Sequence, residues 1–254
     1  MTNTPIIEVI AELRWGPGNP SQPAVFSFGD DADYIKFGVE ASRLGYNQLE
    51  RTIPQGVPSP GGAIGYRYRK GEGDLNTLYQ LGTGIFSANG LPPYTSWGAF
   101  RQVLVAGVEA LNATVSLNTR GEVWCVVRYV DFFASEHMGG LNTQEFFRNV
   151  VGVESVPLNS VMEFAGDDLA TSMRFFRSAK DPRGNEVALD VGEGQNGERP
   201  GIVMNTSVTS APLVNPSVDE VLASFDLLQK VAHEVFFEMI ERDNRVKHAI
   251  FPEA

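Results

Sequence analysis

Two long runs in this sequence alternate apolar and other residues with a period of two, and they constrain the fold more than anything else in it. In "PIIEVIAELRW", residues 5–15, Ile7, Val9, Ala11, Leu13 and Trp15 point one way, and Ile6, Glu8, Ile10, Glu12 and Arg14 the other. "EVWCVVRYVDFF", residues 122–133, repeats the pattern, with Val123, Cys125, Val127 and Tyr129 on one side. Such alternation fits a strand whose two faces meet different surroundings. Each run also opens a series of elements. After the first come a Gly/Pro break, "GPGNPSQP", and a helix over 31–44 with Asp30 or Asp31 as cap and Gly45 as stop. Strands follow near 48–53, 63–70 and 77–88, with "PQGVPSPGG" as a loop, then a helix over 96–112 with Ser96 as its cap.

After the second run come a short helix in "NTQEFFRNVV", with Asn142 and Glu145 at capping-box spacing, and four strand-like stretches: "SVMEFAG", "LATSMRFFRSA", "NEVALDVG" and "GIVMNTSVTSA". "KDPRGN" joins the middle pair as a hairpin turn, and a long helix begins after Pro216 and Ser217. The expected fold is therefore α+β. A curved, mainly antiparallel sheet carries helices packed on one face, and a strand–helix–strands–helix unit occurs twice, as residues 1–116 and 117–254 of one compact body. The boundary falls near 114–121. In the closing helix Val218, Val221, Phe225, Leu228, Ala232, Val235 and Met239 form a heptad-like seam that Leu222, Phe236 and Ile240 widen into a broad stripe. A broad stripe packs on a sheet, whereas a narrow one pairs with another helix. Roughly 28 residues would give the helix a length of about 42 Å, enough to cross the body.

The chain has 254 residues, 43% hydrophobic and 20% charged, with a net charge of −11. Most of the acid excess lies in the second half: residues 120–254 hold 12 Lys+Arg against 21 Asp+Glu, and residues 1–119 hold 8 against 10. That field repels phosphate backbones, so nucleic acid is not an expected partner. The single cysteine, Cys125, allows no intramolecular disulfide and no cysteine-based zinc site. No apolar stretch reaches the length of a membrane span, and "MTNTPII" lacks the features of a signal peptide, which together give a cytoplasmic expectation.

Several residues could carry chemistry. On a strand Glu8 and Glu12 would stand about 13 Å apart, wider than the carboxylate pairs of glycosidases. Arg14 is placed to pair with Glu12, so the trio reads as a solvated or interface face with a local ion pair. In "VRYVDFFASEH", Arg128 and Asp131 fall on opposite faces, and Asp131, Glu136 and His137 lie near the strand end, where sites often form. Glu8, Glu12, Arg14, Arg128, Asp131 and His137 are the ligand or interface candidates. No catalytic residue, cofactor site or metal site is assigned. His233 reads as a packed or boundary residue of the last helix, His248 as part of a frayed tail, and Cys125 as a small buried hydrophobe. "GEGQNGERPG" lacks the context of a P-loop, and Gly82 and Gly84 of "LGTGIFSANG" read as a bend. "GYRYRKGEGD" puts Arg67 and Arg69 on one strand face with Tyr66 and Tyr68 on the other, and Arg174 and Arg177 flank Phe175 and Phe176.

"PIIEVIAELRW", "LPPYTSWGAFRQVLVAGVEAL", "VRYVDFF" and "VAHEVFFEMI" together resemble a sporadically distributed bacterial family of uncharacterised proteins of about 250 residues. The order of elements also resembles the TATA-binding-protein-like and helix-grip folds, in which an antiparallel sheet curves around a long helix. The family resemblance implies an accessory, defence-linked role and brings no site residue with it. Two functions are expected on different grounds. The missing hydrolase, kinase, dinucleotide and metalloprotease signatures favour a non-enzymatic module that engages a protein partner or a second copy of itself. The alternative is a small-molecule binder or enzyme with a cavity between the sheet and the last helix, lined by Glu8, Glu12, Arg128, Asp131 or His137.

Overall fold

The computed structural model describes residues 4–20, 26–27, 31–54, 57–71, 76–154 and 173–252. "SVMEFAG", Asp30 and the start of "LATSMRFFRSA" lie outside these residues. The elements run β1 (Ile6–Trp15), β2 (Phe26–Ser27), α1 (Asp31–Arg43), β3 (Gln48–Arg51), β4 (Ser59–Pro60), β5 (Ile64–Arg69), β6 (Thr77–Gly82), β7 (Ile85–Gly90) and α2 (Trp97–Val115). Next come β8 (Glu122–Phe133), α3 (Thr143–Phe146, continued by a π-helical turn, Phe147–Val151), β9 (Arg174–Lys180), β10 (Glu186–Asn196), β11 (Arg199–Thr209) and β12 (Leu213–Val214). The last two are α4 (Val218–Ile240) and α5 (Asn244–Ile250). Among them no helix is long and apolar enough to cross a membrane.

The fold is α+β. One ten-stranded sheet has the order β3-β5-β6-β7-β1-β8-β11-β10-β9, with β12 pairing β8 beside this path. Each described strand pair in it is antiparallel. β1 and β8, the two runs with period-two alternation, are neighbours at the middle. From there β7, β6, β5 and β3 extend to one side and β11, β10 and β9 to the other, while β2 and β4 pair apart from it as a two-stranded sheet.

The helices lie on one face, over two contiguous cores. The larger joins Val9, Ala11 and Leu13 of β1 and Val123, Cys125 and Val127 of β8 to Phe37 of α1, Leu104 and Val108 of α2, and Val221, Phe225 and Leu228 of α4. A layer of rings, Phe37, Tyr68, Tyr79 and Phe86, fills the space under α1 and α2 in mostly edge-to-face contacts. The second core gathers Phe133, Phe146, Phe147, Met204, Met239 and Ile240 at the other end of α4. α2 can come this close because residue 107 is glycine: a Cβ there would meet Tyr79 Cε1 at 2.5 Å and Phe86 Cζ at 2.9 Å.

The caps sit where the residue types place them. Ser96 accepts from the Ala99 amide, Asn142 and Glu145 cap each other's amides, and Ser217 does the same with Glu220. α4 packs on β8 and β11, as its broad stripe requires, but runs 23 residues rather than 28. Three expectations are corrected. The strand expected over 77–88 is two, β6 and β7, joined by a tight turn at Thr83 and Gly84, whose φ of +71° suits glycine. Its backbone also packs against the Trp15 carbonyl, where a Cβ would stand at 2.3 Å. The tail carrying His248 is helical: Asp243 caps α5, and Val246 and Ile250 are buried. Finally, β1 shifts register against β8 between Ile6 and Glu8. This bulge turns Ile6 to the same side as Asp131, off the face that strict alternation assigns it.

Candidate functional site

The six candidates separate into three places. Glu8, Glu12, Arg14 and Arg128 lie on the sheet face opposite the helices. There Arg14 Nε donates to Glu12 Oε2 at 2.9 Å, Arg128 Nη2 stands 3.7 Å from Glu12 Oε1, and Asn89 Nδ2 donates to Glu8 Oε1 at 2.7 Å. Ser87 extends the chain by donating to Asn89 Oδ1 at 2.8 Å. The result is a polar seam across β7, β1 and β8. The expected ion pair of Glu12 with Arg14 is present, but Glu12 is only 6% exposed, so this part of the face is packed rather than solvated. A buried carboxylate persists because two guanidiniums answer it.

His137 sits in a single 3₁₀ turn after β8 and is buried. Its Nδ1 accepts the Ala134 amide at 3.0 Å, and burial holds the imidazole below its ordinary pKa. Glu136 turns away to an ion pair with Arg199. Asp131, Glu136 and His137, neighbours in sequence, therefore form no cluster, and no group of metal-ligating residues occurs among the described residues. Two basic residues of the aromatic strands are in ion pairs: Arg67 with Glu50 at 3.5 Å, and Arg174 with Asp190 at 2.6 Å.

Asp131 goes elsewhere. It is the last helix-facing position of β8 before Phe133, and there it borders a cavity of about 330 Å³ between the sheet and α4. That volume lies within the range of small-molecule sites. The floor is Ile6, Tyr129, Asp131 and Thr206; α4 contributes Gln229, Ala232, His233, Phe236 and Phe237; the loop before α2 and its first residue contribute Tyr94, Ser96 and Trp97. The cavity does lie between sheet and last helix. Of the five residues expected to line it only Asp131 does so; Glu8, Glu12 and Arg128 are on the far face, and His137 is in its turn.

The walls are fixed by contacts that leave the cavity free. Trp97 Nε1 donates to Asp226 on α4 at 3.0 Å, and Arg101 on α2 grips the same carboxylate with Nε and Nη2 at 2.8 and 2.9 Å. This clamp holds α2 and α4 together beside the cavity and keeps the Asp226 carboxyl below its ordinary pKa. Tyr94 and Tyr129 meet edge to face, their hydroxyl oxygens 3.5 Å apart. His233, exposed at the rim, stacks on Phe237 with ring centres 4.4 Å apart.

Two of the polar residues inside are bare. Asp131 is 1% exposed, yet among the described residues neither carboxyl oxygen has a hydrogen-bond partner, and the Thr206 hydroxyl, also 1% exposed, has none. Burial without compensation pushes the Asp131 carboxyl up to about 8. Unanswered buried polar atoms are rare in folded proteins, since each costs on the order of 1–3 kcal/mol. Here three of them belong to two residues, Asp131 and Thr206, that line one cavity.

In sequence, Tyr129, Thr206, Gln229 and the aromatic pair Phe236–Phe237 carry no signal of this site. They read as strand alternation and helix stripe, and only the packing of α4 over β8 and β11 brings them together. Tyr129 and Asp131 at alternate positions of one strand are the one local hint. No protein-family model, curated protein or solved structure matches the chain.

Proposed function

We propose that this is a small-molecule-binding protein whose site is the cavity between the sheet and α4. One observation carries the reading: a cavity of ligand size, rich in aromatic rings, is lined by Asp131 and Thr206, whose buried oxygens nothing in the described protein satisfies. Apolar walls with a few convergent polar groups are the usual build of such sites. Binding rather than turnover is favoured, because Asp131 is hydrogen-bonded to no nucleophile or base. A cytoplasmic setting fits the single, buried Cys125, whose thiol burial pushes up to about 12.

The test is titration with a neutral solvatochromic dye, Nile red. Saturable one-to-one binding is expected, lost in Gln229→Trp, which places a large ring at a half-buried lining position without disturbing the core. Dye binding that is absent, or unaffected by this substitution, overturns the reading.

A protein-interaction role is the second reading, and a different observation favours it. β3 is an outer edge of the sheet; its Leu49 is 57% exposed, beside Ile35 (62%) and Val39 (51%) of α1. An apolar patch against an unpaired strand edge suits self-association or a protein partner. Sedimentation velocity tests it: a dimer that Leu49→Lys converts to monomer supports self-association, and a monomer at every concentration opposes it.

A further inference from the structure

The bare oxygens allow the ligand's chemistry to be read more closely, on the footing that the cavity is a binding site. Three acceptor oxygens there are without partners: Asp131 Oδ1, Asp131 Oδ2 and Thr206 Oγ1. They belong to adjacent strands. β11 sets Met204 opposite Asp131 and Thr206 opposite Tyr129, so Asp131 and Thr206 are diagonal neighbours on the helix-covered face. Among the described residues no Lys or Arg lines the cavity, and the titratable groups there besides Asp131 are Tyr94, Tyr129 and the rim His233. An anionic ligand would find no countercharge and would face the Asp131 carboxyl.

Much of the remaining wall is aromatic: Tyr94, Trp97, Tyr129, Phe236, Phe237 and Phe251. Ring faces attract cations, more strongly where water is excluded. A neutral ligand would leave a buried acid unpaired, whereas an ammonium supplies the charge the carboxylate lacks and the donors the oxygens lack. A primary ammonium carries three N–H donors, matching three bare acceptors. We infer that this cavity takes a primary amine with an apolar body, the ammonium seated on Asp131 and Thr206 and the body lying among the aromatic rings of α4 and the α2 entrance.

Calorimetric titration of the full-length protein at pH 8 with 2-phenylethylamine and with its isostere 2-phenylethanol tests this, with Nile red in parallel to report the cavity itself. The amine is expected to bind at least tenfold tighter than the alcohol. In Asp131→Asn that preference should shrink to within about threefold while the dye still binds. Thr206→Val, which removes one acceptor and keeps the shape, should weaken the amine a few-fold more than it weakens the alcohol; it serves alone if Asp131→Asn does not fold. Dye binding without preference for the amine, or a preference that survives both substitutions, overturns the amine assignment and leaves the cavity standing. A folded protein that binds neither the dye nor either probe overturns both.

Discussion

At the scale of single residues, Asp131 dominates. Its carboxyl is held up to about 8 in the folded protein by burial, against roughly 4 in an unfolded chain. The folded state therefore keeps a proton that the unfolded state loses, and stability falls as pH rises from about 4 to 8. In Asp131→Asn that dependence should vanish. By thermal denaturation the variant should melt about 5 °C above the parent at pH 8, corresponding to about 2 kcal/mol, with the difference closing toward pH 5. Asp131 stood out in the sequence, as a charge ending an apolar strand. Its companions did not: nearness along the chain grouped it with Glu136 and His137, whereas the residues that share its surroundings come from β11, α4 and the loop before α2. Glu12 teaches the converse. Its pairing with Arg14 follows from spacing alone, but its burial does not, because that depends on Arg128 and on neighbouring strands.

At the scale of elements, caps and stripes were the most legible features. Ser96 and Asn142 cap the helices expected of them, and Ser217, just before the last long helix, caps it in the same way, because capping is set within four residues of chain. Ser217→Ala should therefore cost about 1 kcal/mol in chemical denaturation, by freeing the Glu220 amide and loosening the first turn of α4. Gly107→Ala tests the closeness of α2 to the ring layer; with Tyr79 and Phe86 in the way, a loss of about 1–3 kcal/mol is expected despite the gain in helix propensity. What periodicity missed were breaks without a composition signature. Thr83–Gly84 turns the chain within an apolar run, and the β1 bulge alters which way Ile6 points. Both are settled by the partner strand: Trp15 packs against Gly84, and β8 fixes the register of β1.

At the scale of the molecule, the two halves meet at β1 and β8 and share more than a seam. Val221, Phe225 and Leu228 of α4, late in the chain, complete the core that α1, α2 and β1 begin. The full chain should accordingly unfold in one transition, with circular dichroism and tryptophan fluorescence coinciding in urea. A fragment of residues 1–116 should show no cooperative transition. The order of the longer elements could be read from sequence because they announce themselves locally, whereas the two-residue strands β2, β4 and β12 and the short α5 could not. That one continuous sheet joins the halves could not, since pairing between residues some 120 positions apart leaves no local trace.

The central β1–β8 pairing also bears on how the protein is made. As the chain leaves the ribosome, β1 can pair early with β7 on one side, but its other edge waits for residues 122–133. During that interval the nascent chain displays an unpaired strand carrying Val9, Ala11 and Leu13, with the stretch that will cover them from α4 not yet synthesised. The seam at the centre of the finished sheet is thus an open edge during its synthesis.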